Sequence, residues 1–124
     1  MSLLFKITEW YAFKTVKILI YSDNEWVIES IEKYIDFEYD LMKNIDFEDL
    51  NDRVDFILVD MQVKNNGGPS IIRELKRQKI TKNIPIALIA DREADEFQAN
   101  RVGADFFAVK PLSKTKLNNF FNKE

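Results

Sequence analysis

Three apolar runs in the 124-residue chain each deliver a side chain able to do chemistry. Phe56-Ile-Leu-Val59 leads into Asp60, Val16-Lys-Ile-Leu-Ile-Tyr21 leads into Ser22-Asp23, and Phe106-Phe-Ala-Val109 leads into Lys110-Pro111. Two carboxylates brought close together repel unless a positive charge lies between them. The chain has no histidine and no cysteine, so the natural counter-ion is a hard, oxygen-seeking cation such as Mg²⁺. Lys110 adds a second positive charge. A carboxylate flanked by Mg²⁺ and an ammonium is placed to attack a phosphoryl group, because both cations stabilise the charge spread over the transferring oxygens. Each residue also has a plainer reading: Asp60 as a turn residue, Asp23 as a helix cap, Lys110 as a solvated lysine before a turn.

What would bring the three together is a parallel sheet. An apolar run without alternation, closed by polar or glycine residues, suits a strand covered by helices on both faces. In open α/β sheets the carboxyl ends of such strands share one edge, and ligands sit there. Asp23, Asp60 and Lys110 are therefore expected in one shallow cleft.

The rest of the chain supports that architecture. After Val16–Tyr21, the positions Val27, Ile28, Ile31, Tyr34 and Ile35 recur at helical spacing, with Asp23 or Asn24 available as cap. Phe37 to Met42 alternates apolar and acidic residues, as an edge strand does. Asp46 to Arg53 has room for about two helical turns. Pro69 and Ser70 open a helix whose Ile71, Ile72 and Leu75 face inward, and Ile84 to Ala90 forms a fourth buried strand. Glu93 to Val102 makes a short helix with Phe97 and Val102 on its apolar side; Phe106 to Val109 is the fifth strand. Ser113 caps a last helix that turns Leu117, Phe120 and Phe121 to the core. The expectation is an α/β fold, a doubly wound five-stranded parallel sheet alternating with five helices that cover both faces. Residues 1–15 stand apart as an extension of undefined structure, too apolar for a disordered tail, and residues 16–124 form the domain.

Composition excludes several functions. With 18 basic and 21 acidic residues, a formal charge of −3 and no basic block, the domain lacks the positive face that nucleic-acid phosphates require. No apolar run approaches a membrane span and the start has no signal-peptide pattern. A soluble, cytoplasmic domain with no membrane contact is expected. Absence of cysteine rules out a thiolate nucleophile, a zinc-thiolate site and a disulfide framework.

From Lys17 to about Asn122 the sequence resembles the receiver domain of bacterial two-component response regulators, which has a flavodoxin-like fold. The resemblance rests on Lys17-Ile-Leu-Ile-Tyr-Ser-Asp23, Asp55-Phe-Ile-Leu-Val-Asp60, Gly67-Gly68, Ile84-Pro-Ile86 and above all Gly103-Ala-Asp-Phe-Phe-Ala-Val-Lys110-Pro111, in order and at nearly family-like spacing. It implies that Asp60 is the phosphoacceptor, that Asp23 and Asp60 hold Mg²⁺ with the backbone carbonyl of Gln62, and that Lys110 contacts the phosphoryl group. Pro111 matches a proline whose preceding peptide bond is usually cis. The implied partners are a histidine kinase or phosphotransfer protein as donor and an output domain or partner protein as receiver of the signal, with a homodimer possible; no separate enzymatic activity is implied.

The departures from the family pattern define an atypical member. Ser22 replaces the first of two adjacent acidic residues, which lowers the expected Mg²⁺ affinity. Ala90 stands where a Thr or Ser hydroxyl usually meets the phosphoryl oxygen, and Phe107 fills the aromatic switch position. Val63-Lys64 and Gly67-Gly68 replace the usual Met-Pro and Asp-Gly, and the stretch from Ala90 to Gly103 is slightly short, which shortens the fourth helix. The leading expectation is a phospho-switch; the alternative is a pseudo-receiver, an interaction module that signals without phosphate. A hydrolase working through an aspartyl-phosphate would want a second Asp where Gln62 stands, and a flavin site would want backbone donors where the first loop is acidic.

Overall fold

The computed structural model describes residues 15–51, 53–63 and 67–122. The proposed extension therefore lies, but for Thr15, outside the described residues, as does Lys64. Five strands run β1 (Val16–Tyr21), β2 (Tyr39–Lys43), β3 (Phe56–Asp60), β4 (Ile86–Ala90) and β5 (Phe106–Val109). Four α-helices alternate with them: α1 (Glu25–Tyr34), α2 (Gly67–Arg77), α3 (Glu96–Val102) and α4 (Lys114–Phe121). The sheet is wholly parallel in the order β2-β1-β3-β4-β5. The chain steps outward from β1 to β2, then returns to the other side of β1 with β3. This reversal puts the carboxyl ends of β1 and β3 side by side, with Tyr21 in register with Val59, at the point where such sheets open a crevice.

Strand alternation divides the core in two. Ile18 and Ile20 of β1 face α1 and α4, joining Val27, Ile31, Leu117 and Phe121. Leu19 and Tyr21 face α2 and α3, joining Ile72, Leu75 and Val102. Strands β3 and β4 are buried at every position, which is why their sequences show no polar alternation. Phe56, Phe120 and Phe121 meet edge-on or tilted with ring centroids 5.0–5.5 Å apart and clamp α4 to the sheet. Asn24 and Ser113 cap α1 and α4 through their side chains. Among the described residues no helix is long and apolar enough to cross a membrane.

Several expectations need correction. The helix anticipated in Asp46–Arg53 is a single 3₁₀ turn, Phe47–Asp49. Four α-helices are described rather than five, because the short link back to β3 at Phe56 leaves no length for a packed helix. The edge strand begins at Tyr39, not Phe37; the Phe37 ring instead packs against Tyr39 and Phe121. Helix α2 starts at Gly67, ahead of Pro69-Ser70, and β4 starts at Ile86, after Pro85. Residues Glu93–Asp95 form a 3₁₀ turn, so α3 has only seven residues and leaves Phe97 67% exposed instead of inward. Gly68 serves a close approach: a Cβ there would collide with the backbone carbonyl of Asp60, so glycine lets the start of α2 lie against the end of β3.

Candidate functional site

Asp60 ends β3 with 1% of its surface exposed, and a buried carboxylate must find partners. It has three. Its Oδ1 accepts from the Lys110 ammonium at 2.7 Å and from the backbone N–H of Gln62 at 3.0 Å; its Oδ2 accepts from the Ser22 hydroxyl at 2.7 Å. Each partner comes from a different strand end, so the site exists only when β1, β3 and β5 are in register.

Lys110 follows β5, and its backbone N–H donates to the carbonyl of Ala90 at 2.9 Å, tying the ends of β4 and β5 together. The Lys110–Pro111 peptide bond is cis, as the resemblance implies. The ammonium also contacts Asp91 Oδ1 at 3.0 Å, while Asp91 Oδ2 accepts from the Gln62 side-chain amide at 2.8 Å. Burial favours the neutral amine, but the hydrogen bonds and charges of Asp60 and Asp91 outweigh it, and the Lys110 pKa is raised. At Asp91 partial burial likewise pushes upward, and the bonds from Gln62 and Lys110 together with the charges of Lys110 and Arg92 prevail, lowering its pKa.

On the other flank, Ser22 is fully buried. Besides donating to Asp60, its hydroxyl accepts from the backbone N–H of Asn24 at 3.0 Å. Asn44, in the left-handed conformation with φ 52°, clamps the Ser22 backbone from both sides, accepting from its N–H and donating to its carbonyl, each at 2.9 Å. Asp23 is exposed one residue further on. It lines a groove of about 670 Å³ together with Tyr21, Asn44, Asp46, Val63 and Arg73. This groove lies between α2 and the 3₁₀ turn that replaces the expected helix, and Asp60 does not line it.

The structure therefore brings Asp60 and Lys110 into direct contact, leaves Asp23 exposed on the neighbouring groove, and joins Gln62 to Asp60 through its backbone N–H and to Asp91 through its side chain. Ala90 is buried, and Phe107 packs partly buried against the α2–α3 face. Asp91 is the residue that reasoning from sequence passes over. It is the first residue after β4, so the edge argument that selects Asp23, Asp60 and Lys110 covers it equally.

Among the described residues no group of three or more His, Cys, Asp or Glu side chains is arranged to hold a metal. The donors that the resemblance names, Asp23, Asp60 and the Gln62 carbonyl, are all hard oxygens and suit Mg²⁺ in kind. Ser22 occupies Asp60 Oδ2 with a donated hydrogen bond, so an entering cation must share or displace it. The donor set fits the ion, with one carboxylate fewer than a strong site uses.

No family model matches the chain. Over 65 residues, 51% of this chain, it is 34% identical to the phosphate regulon transcriptional regulatory protein PhoB of Escherichia coli, covering 28% of that protein. Over 108 residues, 82% of this chain, it is 25% identical to the alkaline phosphatase synthesis transcriptional regulatory protein PhoP of Bacillus subtilis, covering 45% of it. The chain thus spans less than half the length of these curated relatives. The receiver domain of the sensor histidine kinase PA1611 from Pseudomonas aeruginosa, solved with a magnesium ion in its active site cleft, superimposes with a TM-score of 0.73 at 21% identity, covering 88% of this chain and 96% of that one. The response regulator SaeR of Staphylococcus aureus is 26% identical over 107 residues, 81% of this chain and 46% of that protein, and the fold is the flavodoxin-like receiver fold.

Proposed function

We propose that the domain is a phospho-switch that accepts a phosphoryl group on Asp60 and passes the signal on by altering a protein contact. The observation that carries this is the buried 2.7 Å contact between Asp60 and Lys110 at the sheet's carboxyl edge. In the reaction a carboxylate oxygen of Asp60 attacks the phosphorus of a donor phosphohistidine. The new O–P bond forms as the N–P bond breaks, and the departing imidazole keeps the electron pair. Lys110 holds the nucleophile in place beforehand and then neutralises charge on the transferring oxygens. The Gln62 N–H orients the carboxylate by its bond to Oδ1. Mg²⁺, held by Asp23, Asp60 and the Gln62 carbonyl, would supply further positive charge to those oxygens and bind weakly. The donor is a histidine kinase or phosphotransfer protein, the listener an output domain or separate protein, and the setting cytoplasmic. With Gln62 where a general acid would stand, the domain turns over no separate substrate.

The test is incubation of the chain with acetyl phosphate and Mg²⁺, read by intact mass. A gain of one phosphoryl group that disappears in Asp60→Asn supports the reading; an unchanged mass in the wild type sinks it.

A second reading, an interaction module that signals without phosphate, is favoured by Ala90. A bond to a charged phosphoryl oxygen is worth roughly 1.5–3 kcal/mol, comparable to a whole allosteric coupling energy, and alanine cannot make it. Amide chemical shifts with and without beryllofluoride separate the two. Changes running from Ala90 through Phe107 into α3 mark an intact switch; changes confined to the Asp60 cleft favour the module.

A further inference from the structure

Asp91 sits on the ammonium that an incoming phosphoryl group would need. Lys110 Nζ is shared between Asp60 Oδ1 at 2.7 Å and Asp91 Oδ1 at 3.0 Å, and the Gln62 amide holds the other Asp91 oxygen at 2.8 Å. The Asp91 carboxylate is thus engaged at both oxygens by residues that also bond Asp60, Lys110 through the same ammonium and Gln62 through its backbone N–H. The loop behind it is also pinned, because the buried Asp95 carboxylate accepts the backbone N–H groups of Asp91 at 3.3 Å and Arg92 at 3.2 Å. Two of the three N–H donors of the ammonium are taken by carboxylates, and a third negative group entering the cleft must share a positive charge on which both already draw.

We infer that Asp91 is a built-in anion for the cleft, a positioning residue that holds the loop between β4 and α3 against Lys110 before any phosphoryl group arrives and competes with that group for the Lys110 charge. This rests on the phospho-switch reading only for its second half. A phosphoryl group at Asp60 would meet no hydroxyl at Ala90; it would act on the loop by drawing the Lys110 cation away from Asp91. Phosphorylation would then loosen the loop where a hydroxyl would have drawn it in.

The substitution Asp91→Asn removes the charge while keeping the side chain's shape, at a position exposed enough for the fold to tolerate it. Hydrogen exchange of the 91–95 amides, measured without any phosphodonor, should quicken in the variant; unchanged exchange overturns the inference. With acetyl phosphate and Mg²⁺, a carboxylate oxygen of Asp60 forms its bond to phosphorus as acetate leaves with the electron pair. This reaction should run about two- to fivefold faster in Asp91→Asn, the scale of one partly exposed ion pair, and an equal or slower rate overturns the competition. Glu93→Gln is the control for net charge, and an equal effect from it also overturns the inference. If neither wild type nor variant is phosphorylated, the phospho-switch reading fails, while the exchange measurement still decides whether Asp91 holds the loop.

Discussion

The two flanks of Asp60 neutralise the same carboxylate by different means. Toward β4 and β5 charge meets charge, with Lys110 between Asp60 and Asp91. Toward β1 and β2 the partners are neutral: the Ser22 hydroxyl and, behind it, the Asn44 amide. A buried charge needs compensation, yet a hydroxyl supplies only a dipole where an ammonium supplies a full charge. The cationic flank therefore supplies the full compensating charge for Asp60. The neutral flank is where a metal would enter, and it offers that metal an exposed Asp23 and an Asp60 oxygen already in use. Under the proposed function, phosphoryl transfer and metal affinity would therefore be separable, the first resting on the cationic flank and the second on the neutral one.

The largest effect should come from breaking the cationic flank. Lys110→Met leaves Asp60 and Asp91 without their shared cation and should lower stability by about 3 kcal/mol, the low end for removing one partner of a buried pair, as urea unfolding at neutral pH would show. A loss no greater than that of a surface substitution would mean that Ser22 and the Gln62 N–H suffice, and the two flanks would not differ as described. The pH response of the intact protein has a definite sign. The Lys110 pKa is raised, so its contribution is whole below about 10.5, the ordinary lysine value, and fades as pH rises past it.

Adding charge to the neutral flank sharpens the contrast. Ser22→Asp sets a second carboxylate against Asp60 and should tighten Mg²⁺ by about tenfold or more, each tenfold being 1.4 kcal/mol. It should also destabilise the metal-free protein through like-charge repulsion. Titration followed by fluorescence of Trp26, which lies four residues beyond Ser22 on the first turn of α1, would report both. Were the affinity unchanged, the missing carboxylate would not be what limits metal binding.

The smallest effect concerns Tyr21, which supports the neutral flank from below. Its hydroxyl donates to the Ile45 carbonyl at 2.6 Å, and burial, with the nearby Asp46 charge adding to it, raises its pKa. The folded state holds this proton more tightly than the unfolded chain. The corresponding stability is complete below about pH 10 and declines as pH rises beyond it. Tyr21→Phe should cost about 1 kcal/mol at neutral pH and make the alkaline decline shallower. A decline as steep as the wild type's would assign it to the other groups whose pKa is raised, Lys110 and Tyr39.

Much of this was readable in the chain because burial on both faces leaves a signature. The unbroken apolar runs before Asp60, Ser22 and Lys110 could be core strands only if helices covered both sides, and a parallel sheet then obliged their ends to share an edge. Periodicity could not show that the segment before β3 would make one 3₁₀ turn, since local pattern does not measure the span to be bridged. Nor could it show that Phe97 would face outward, because the 3₁₀ turn preceding α3 resets its face.

At the site the division is similar. Residue types determined that any chemistry would rest on carboxylates, lysine and hard cations, with no histidine or cysteine to offer more, and the ends of apolar runs determined which carboxylates and which lysine. Tertiary structure decided that Ser22, not Asp23, bonds Asp60, because the turn after β1, clamped by Asn44, points the serine inward and leaves the aspartate exposed. It also decided that Asp91 shares Lys110. Which side chains meet across a sheet edge depends on strand register and loop path, and those are set by packing between segments far apart in the chain.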